Sequence, residues 1–226
     1  MPQKITLGNA NFGALVDHIR HSASLGLPFV EKDRHAGEPG AVIVGCGPSL
    51  QNKTVLRQLR AYADRGYTFL GIKEALTWLR DRDLPVHYGV NMDPGAQEVE
   101  RTPVVEGVTY CVASSCHPSL FRHLLDGGVR VQVFHSACGA TALETKPGIC
   151  LDVSPDQQAI ILSEAELKTT DGLLFSPVCY VRTGEIDLYR ETFGEGRSAC
   201  MNGGYTVANR ALSLAWYMGF RDIALA

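Results

Sequence analysis

Ala41-Val42-Ile43-Val44-Gly45-Cys46-Gly47-Pro48-Ser49-Leu50 decides the fold. The run Ala41 to Val44 is apolar at every position, which suits a strand buried on both faces of a parallel sheet. Gly45 and Gly47 follow at once and allow a tight turn. Pro48 prevents a continuous helix through the turn. From Lys53 to Asp64, the residues Val55, Leu56, Leu59 and Tyr62 recur at helical spacing. Strand, glycine turn and helix in that order form the first half of a βαβ unit.

Outward from this unit the alternation continues. Tyr67–Ile72 reads as a second strand, and Glu74–Arg80 as a short helix stopped by Asp83-Leu84-Pro85. Val86–Asn91 reads as a third strand, ending at Met92-Asp93-Pro94-Gly95. Thr109–Ala113 and Val129–Phe134 are further strands, separated by a helix at Ser119–Leu125. A helix over Thr206–Met218 and a strand from Arg221 close the chain, with Gly219 as the helix cap. The fold class expected is α/β, a doubly wound, mostly parallel sheet with helices on both faces, Rossmann-like. Residues 1–39 are expected as an N-terminal helical extension, with a helix over 9–26, and 40–226 as the main domain. Residues 139–200 show weak periodicity and are expected to form an irregular insert or lid. The last strand runs flush to Ala226 and leaves no room for the loop that normally follows it. The expectation is a longer protein or an unusually terminated domain.

Composition narrows the function. Of 226 residues 45% are hydrophobic and 20% charged, which suits a globular domain with its own core. A formal net charge of -3 without any Lys/Arg run gives no bulk attraction to nucleic acid or acidic lipid. No stretch approaches the ~20 apolar residues of a membrane span, and Met1-Pro2-Gln3-Lys4-Ile5 begins no apolar run of signal-peptide length. Seven cysteines (46, 111, 116, 138, 150, 179 and 200) form no C-x-x-C pair, so they read as reduced thiols rather than a disulfide or zinc framework. A cytoplasmic protein is expected, with Trp78 and Trp216 in its core.

The chemistry centres on strand ends. A helix N-terminus after Gly45-Cys46-Gly47 would present unpaired N–H groups to an anion, with Ser49 as cap or phosphate donor. The same residues also suit an ordinary tight turn. Gly45-x-Gly47 lacks the Walker lysine and the third Rossmann glycine. Asp93 ends a strand, where a carboxylate can hold Mg²⁺ against phosphates or serve as a turn residue. Asn91 lies beside it. His135 follows an apolar strand and can act as a general base or be structural. Gly203, Gly204 and Thr206 precede the last helix, as a second anion site or an ordinary helix start.

These segments carry a resemblance. Gly45-Cys46-Gly47-Pro48-Ser49-Leu50 is similar to the G-x-GPSL signature of the MptE-like family. That family includes archaeal 6-hydroxymethylpterin diphosphokinases and bacterial motility accessory factors linked to flagellin glycosylation. A related GPSL turn occurs in bacterial sialyltransferases, where it contacts the cytidine nucleotide. Gly71–Leu76, Pro85–Asp93 and Gly203–Val207 with Met218–Ile223 resemble further family segments in the same order. Lys73 stands where the family often has Asn, and the family's Gly-x-Asp turn after the last strand is absent.

The resemblance implies a nucleotide-dependent transferase. Gly45, Cys46, Gly47, Pro48, Ser49, Lys73, Asn91, Gly203, Gly204 and Thr206 would bind the nucleotide, and Asp93 and His135 would be catalytic. The reaction expected first is pyrophosphoryl transfer from ATP to a hydroxymethyl acceptor, with Mg²⁺ at Asp93. The alternatives are a glycosyltransferase using a CMP-activated nonulosonic sugar without a metal, or an inactive nucleotide-binding module. Partners are therefore a nucleotide and a small-molecule or sugar acceptor. The two glycine segments are expected to border one pocket, with Asp93 and Lys73 on its rim. Lys73 is expected to favour a more anionic ligand.

Overall fold

The computed structural model describes residues 12–136, 157–161, 178–182, 189, 191–194, 200–201 and 207–226. Their strands are β1 (Ala41–Val44), β2 (Thr68–Ile72), β3 (Tyr88–Asn91), β4 (Thr109–Ala113), β5 (Arg130–Ser136), β6 (Gln157–Ile161), β7 (Val178–Arg182), β8 (Cys200–Met201) and β9 (Ile223–Leu225). Seven of them form one sheet in the order β8-β5-β4-β3-β2-β1-β9. Every pairing in that sheet is parallel. The protein has an α/β, Rossmann-like architecture. β6 and β7 pair antiparallel, inside the region where the sequence shows no periodicity.

The helices are α1 (Phe12–Ser24), α2 (Lys53–Asp64), α3 (Ala75–Arg80), α4 (Glu98–Arg101), α5 (Pro118–Asp126) and α6 (Val207–Tyr217). Side chains alternate across β1, and this separates two apolar clusters. Val42 and Val44 face Leu59 of α2 and Leu79 of α3. Ala41 and Ile43 join Ala211 and Leu214 of α6. α2 and α6 therefore cover opposite faces of β1. The chain leaves β1 through α2 toward β2 and returns through α6 to β9 on the other side. This reversal beside β1 is the topological switch point at which open α/β sheets bind ligands.

Two strand glycines are explained by packing. A Cβ on Gly71 would meet Leu76 Cδ2 at 2.7 Å, and one on Gly89 would meet the Tyr110 ring at 2.8 Å. Both are needed for close helix–strand and strand–strand contact. At the N-terminal end, Leu15 and Ile19 of α1 are buried and Ser22 Oγ donates to the Ser114 carbonyl at 3.0 Å. The Val30 N–H donates to the Val133 carbonyl at 3.0 Å, so the strand edge is extended by the segment after α1. Trp216, expected in the core, is 55% exposed, with Arg221 stacked over its ring at 4.3 Å. It sits on the outward side of α6, and the cation covers its face instead of the sheet.

His87 enters β3 with Nδ1 accepting the Phe69 N–H at 2.9 Å. Partial burial lowers its pKa, against a raising effect from the Glu38 charge. The unfolded chain takes up that proton near pH ~6.5 and the folded chain only at lower pH. Stability from this group is therefore full above about pH 6.5 and lost as the pH falls through the folded value. His87→Asn should flatten the fall in unfolding midpoint between about pH 7 and 5. An unchanged slope in thermal scans would show that His87 contributes none of it.

Candidate functional site

All seven strands of the sheet end on one edge, and the turn after β1 stands open there. Cys46 through Ser49 are exposed, while Leu50 is buried and anchors the turn. Pro48–Gln51 form a 3-10 turn, and α2 begins only at Lys53. Ser49 is therefore not the cap of α2. Asn52 is, its side chain accepting the Thr54 N–H at 2.8 Å. The Gly45 N–H donates to the Ala226 carbonyl at 2.9 Å. Among the described residues, no acceptor is paired with the N–H groups of Gly47 and Ser49 or with the Ser49 hydroxyl.

The two turn glycines differ from Gly71 and Gly89. Gly47 has φ -76 and ψ 162, a conformation open to any residue. Among the described residues, a Cβ there would meet only Ser49 Oγ at 3.4 Å, and one on Gly45 only the Ala226 carbonyl at 3.8 Å. Neither backbone strain nor packing requires glycine. What the missing side chains provide is open space above backbone donors.

A cavity of about 430 Å³ adjoins this turn on the β9 side, lined by Gly45, Ser49, Val55, Tyr62, Leu225 and Ala226 among others. Lys73 and Asp93 do not line it. They stand on the other flank, at the ends of β2 and β3. Lys73 has φ 53, a left-handed conformation that non-glycine residues adopt rarely. Its Nζ donates to Asp93 Oδ2 and lies 2.9 Å from Glu98 Oε2. Burial would lower the Lys73 pKa, but hydrogen bonds and charge from Asp93 and Glu98 outweigh it, and the net shift is upward. Glu98 is almost fully buried. Asn91 Nδ2 donates to Thr102 Oγ1 at 2.8 Å and to Glu98 Oε2 at 3.3 Å. Its Oδ1 accepts the Asp93 N–H at 3.1 Å, which shapes the loop that carries Asp93.

The network reaches the glycine turn. Cys46 Sγ donates to the Ile72 carbonyl at 2.9 Å and to Glu74 Oε2 at 3.3 Å, and Arg101 Nε donates to Glu74 Oε1 at 2.7 Å. Partial burial and the Glu74 hydrogen bond push the Cys46 thiol up. It is not poised as a thiolate nucleophile. Burial would raise the Glu74 carboxyl, but the Arg101 hydrogen bond and charge hold it below its usual value.

Two expectations change here, for Lys73 and for His135. The charge of Lys73 is matched by two carboxylates, so it is not a free cation for an anionic ligand. Asp93 Oδ2 is engaged by the Lys73 ammonium. Among the described residues, no group of three or more His, Cys, Asp or Glu side chains stands together as metal donors. His135 is fully buried, its ring stacked on Tyr189 at 4.2 Å and Nδ1 2.8 Å from Ser114 Oγ. A general base must reach the proton it takes, and this position gives that role no support. Gly203, Gly204 and Thr206 lie outside the described residues, and with them the shared-pocket expectation. Glu74, Glu98, Arg101 and Thr102 are the network members that sequence reading missed.

Fold and site together define a Rossmann-like domain with an open, donor-bearing glycine turn at its switch point. The chain is similar in structure to a MAf glycosyltransferase from Magnetospirillum magneticum AMB-1, with a TM-score of 0.55 and 14% identity. The match covers 93% of this chain and 27% of that one, so the chain spans about a quarter of its length. No protein-family model matches the chain, and no curated protein sequence matches it. Among the described residues, no helix is long and apolar enough to cross a membrane.

Proposed function

We propose that this domain binds the nucleotide of an activated sugar and serves a glycosyltransferase. One observation carries the reading: among the described residues, Gly47 and Ser49 present unpaired N–H groups and Ser49 an unpaired hydroxyl, beside two glycines that no described neighbour crowds. Donors fixed in place stabilise charge as it develops on a departing phosphate, at no reorganisation cost. In glycosyl transfer the bond from the anomeric carbon to the nucleotide phosphate breaks. Its electron pair goes to the phosphate, while an acceptor hydroxyl forms the new C–O bond and loses its proton. The neighbour's description as a glycosyltransferase supports this reading over pyrophosphoryl transfer.

The test is a titration panel of ATP, CTP, CMP and CMP-sialic acid, each with and without Mg²⁺. CMP and CMP-sialic acid should bind in chelator with unchanged affinity. Binding of ATP alone, and only with Mg²⁺, would replace this reading with the diphosphokinase.

A further inference from the structure

The pair at the ends of β2 and β3 holds both a donor and an acceptor that have no partner among the described residues. Asp93 gives one oxygen, Oδ2, to Lys73, and its side chain is 37% exposed. No protein donor is paired with its Oδ1 among the described residues. Lys73 carries three N–H donors. Two go to Asp93 and Glu98, and the third has no acceptor among the described residues. The pair is also held in place. Asn91 fixes the Asp93 backbone, Glu98 fixes the ammonium from the buried side, and Lys73 adopts a rare left-handed backbone to reach both.

Three kinds of ligand can be weighed against this arrangement. A phosphate would meet the Asp93 carboxylate, and Lys73 is already shared by two anions. A divalent metal would meet the ammonium. A neutral hydroxyl suits it, because it donates its proton to the carboxylate and accepts one from the ammonium. We propose that Asp93 and Lys73 form a hydroxyl-reading clamp, Asp93 accepting and Lys73 donating, for a sugar ring of the bound nucleotide-sugar. The proposal rests on the function proposed above. The clamp stands two strands from the glycine turn, about 10 Å by ordinary strand spacing, within the length of a nucleotide-sugar. The hydroxyl belongs either to the ribose or to the transferred sugar.

The experiment separates these sources. Binding of the four ribonucleoside monophosphates is compared with that of their 2′-deoxy and 2′,3′-dideoxy forms, and CMP-sialic acid is compared with CMP, all in chelator. A hydroxyl bonded to a charged group should give at least about a tenfold preference for the hydroxyl-bearing partner in one of the two comparisons. Asp93→Ala should remove that preference, bringing the two partners of the comparison to equal affinity. Asp93→Asn, which keeps the side-chain shape, should remove most of it and controls for folding. Preference in the first comparison assigns the clamp to ribose, and preference in the second to the sugar. If nucleotides bind without either preference, or the preference survives Asp93→Ala, the clamp is refuted while nucleotide binding stands. If no nucleotide binds under any condition, both readings fall.

Discussion

Gly47→Val is expected to lower affinity for CMP by at least about 100-fold in titration calorimetry, since two or more hydrogen bonds to phosphate would be lost. The argument starts from the backbone. Gly47 has φ -76 and ψ 162, which valine tolerates, and its Cβ would meet only Ser49 Oγ at 3.4 Å. The fold has no use for the glycine there, so unfolding should shift by no more than about 0.5 kcal/mol. The two methyl groups would instead fill the space above the Gly47 and Ser49 N–H groups. Gly89→Ala is the matched opposite. Its Cβ would press on the Tyr110 ring at 2.8 Å, costing about 1–3 kcal/mol, with CMP affinity unchanged in the folded fraction. Wild-type affinity in Gly47→Val would remove the turn from the binding site. A large loss of stability in the same variant would make the glycine structural after all.

The contrast between these glycines shows where sequence reading succeeds and where it stops. The strands of the sheet from β1 to β5 carry their signal locally, as short apolar runs bounded by turn residues. The structure follows these runs to within one or two residues at most ends. Glycines 45, 47, 71 and 89 look alike in one dimension. Only the distances from each absent Cβ divide them into packing and open positions. Lys73 reads as a spare positive charge until β3 and α4 bring Asp93 and Glu98 against it. Glu98-Val99-Glu100-Arg101 carries three charges in four residues and no motif. Yet the loop after β3 turns it inward, and Glu98 is buried while Arg101 faces out to Glu74. One signal was present: a lysine directly after a buried strand needs a carboxylate partner, although Glu74, Asp81 and Asp83 lie nearer in sequence than Asp93 or Glu98. His135 could not be read this way. Its cover comes from Phe29, Tyr189 and Phe193, far away in sequence on segments without clear periodicity.

The inward glutamate makes the strongest stability prediction. Glu98 Oε2 lies 2.9 Å from Lys73 Nζ and accepts from Asn91 at 3.3 Å, and its side chain is 3% exposed. Removing it takes one buried acceptor from the Lys73 ammonium, still held by Asp93, and one from the Asn91 amide, still held by Thr102. Breaking a buried pair from one side costs about 3–5 kcal/mol, and the low end applies because Asp93 still holds Lys73. For a chain of this length, about 3 kcal/mol corresponds to a fall of roughly 6–12 °C in unfolding midpoint. Glu98→Gln keeps an oxygen acceptor and should lose less. The decisive variant removes both partners. Lys73→Met with Glu98→Leu replaces the pair by apolar groups of similar size and should be more stable than either single change, because no buried charge is left alone. Coupling between the two positions should then exceed about 1 kcal/mol in a double-mutant cycle by chemical denaturation. Simple additivity would mean that Lys73 and Glu98 contribute independently. The rigid mounting of the ammonium beside Asp93 would then need another source.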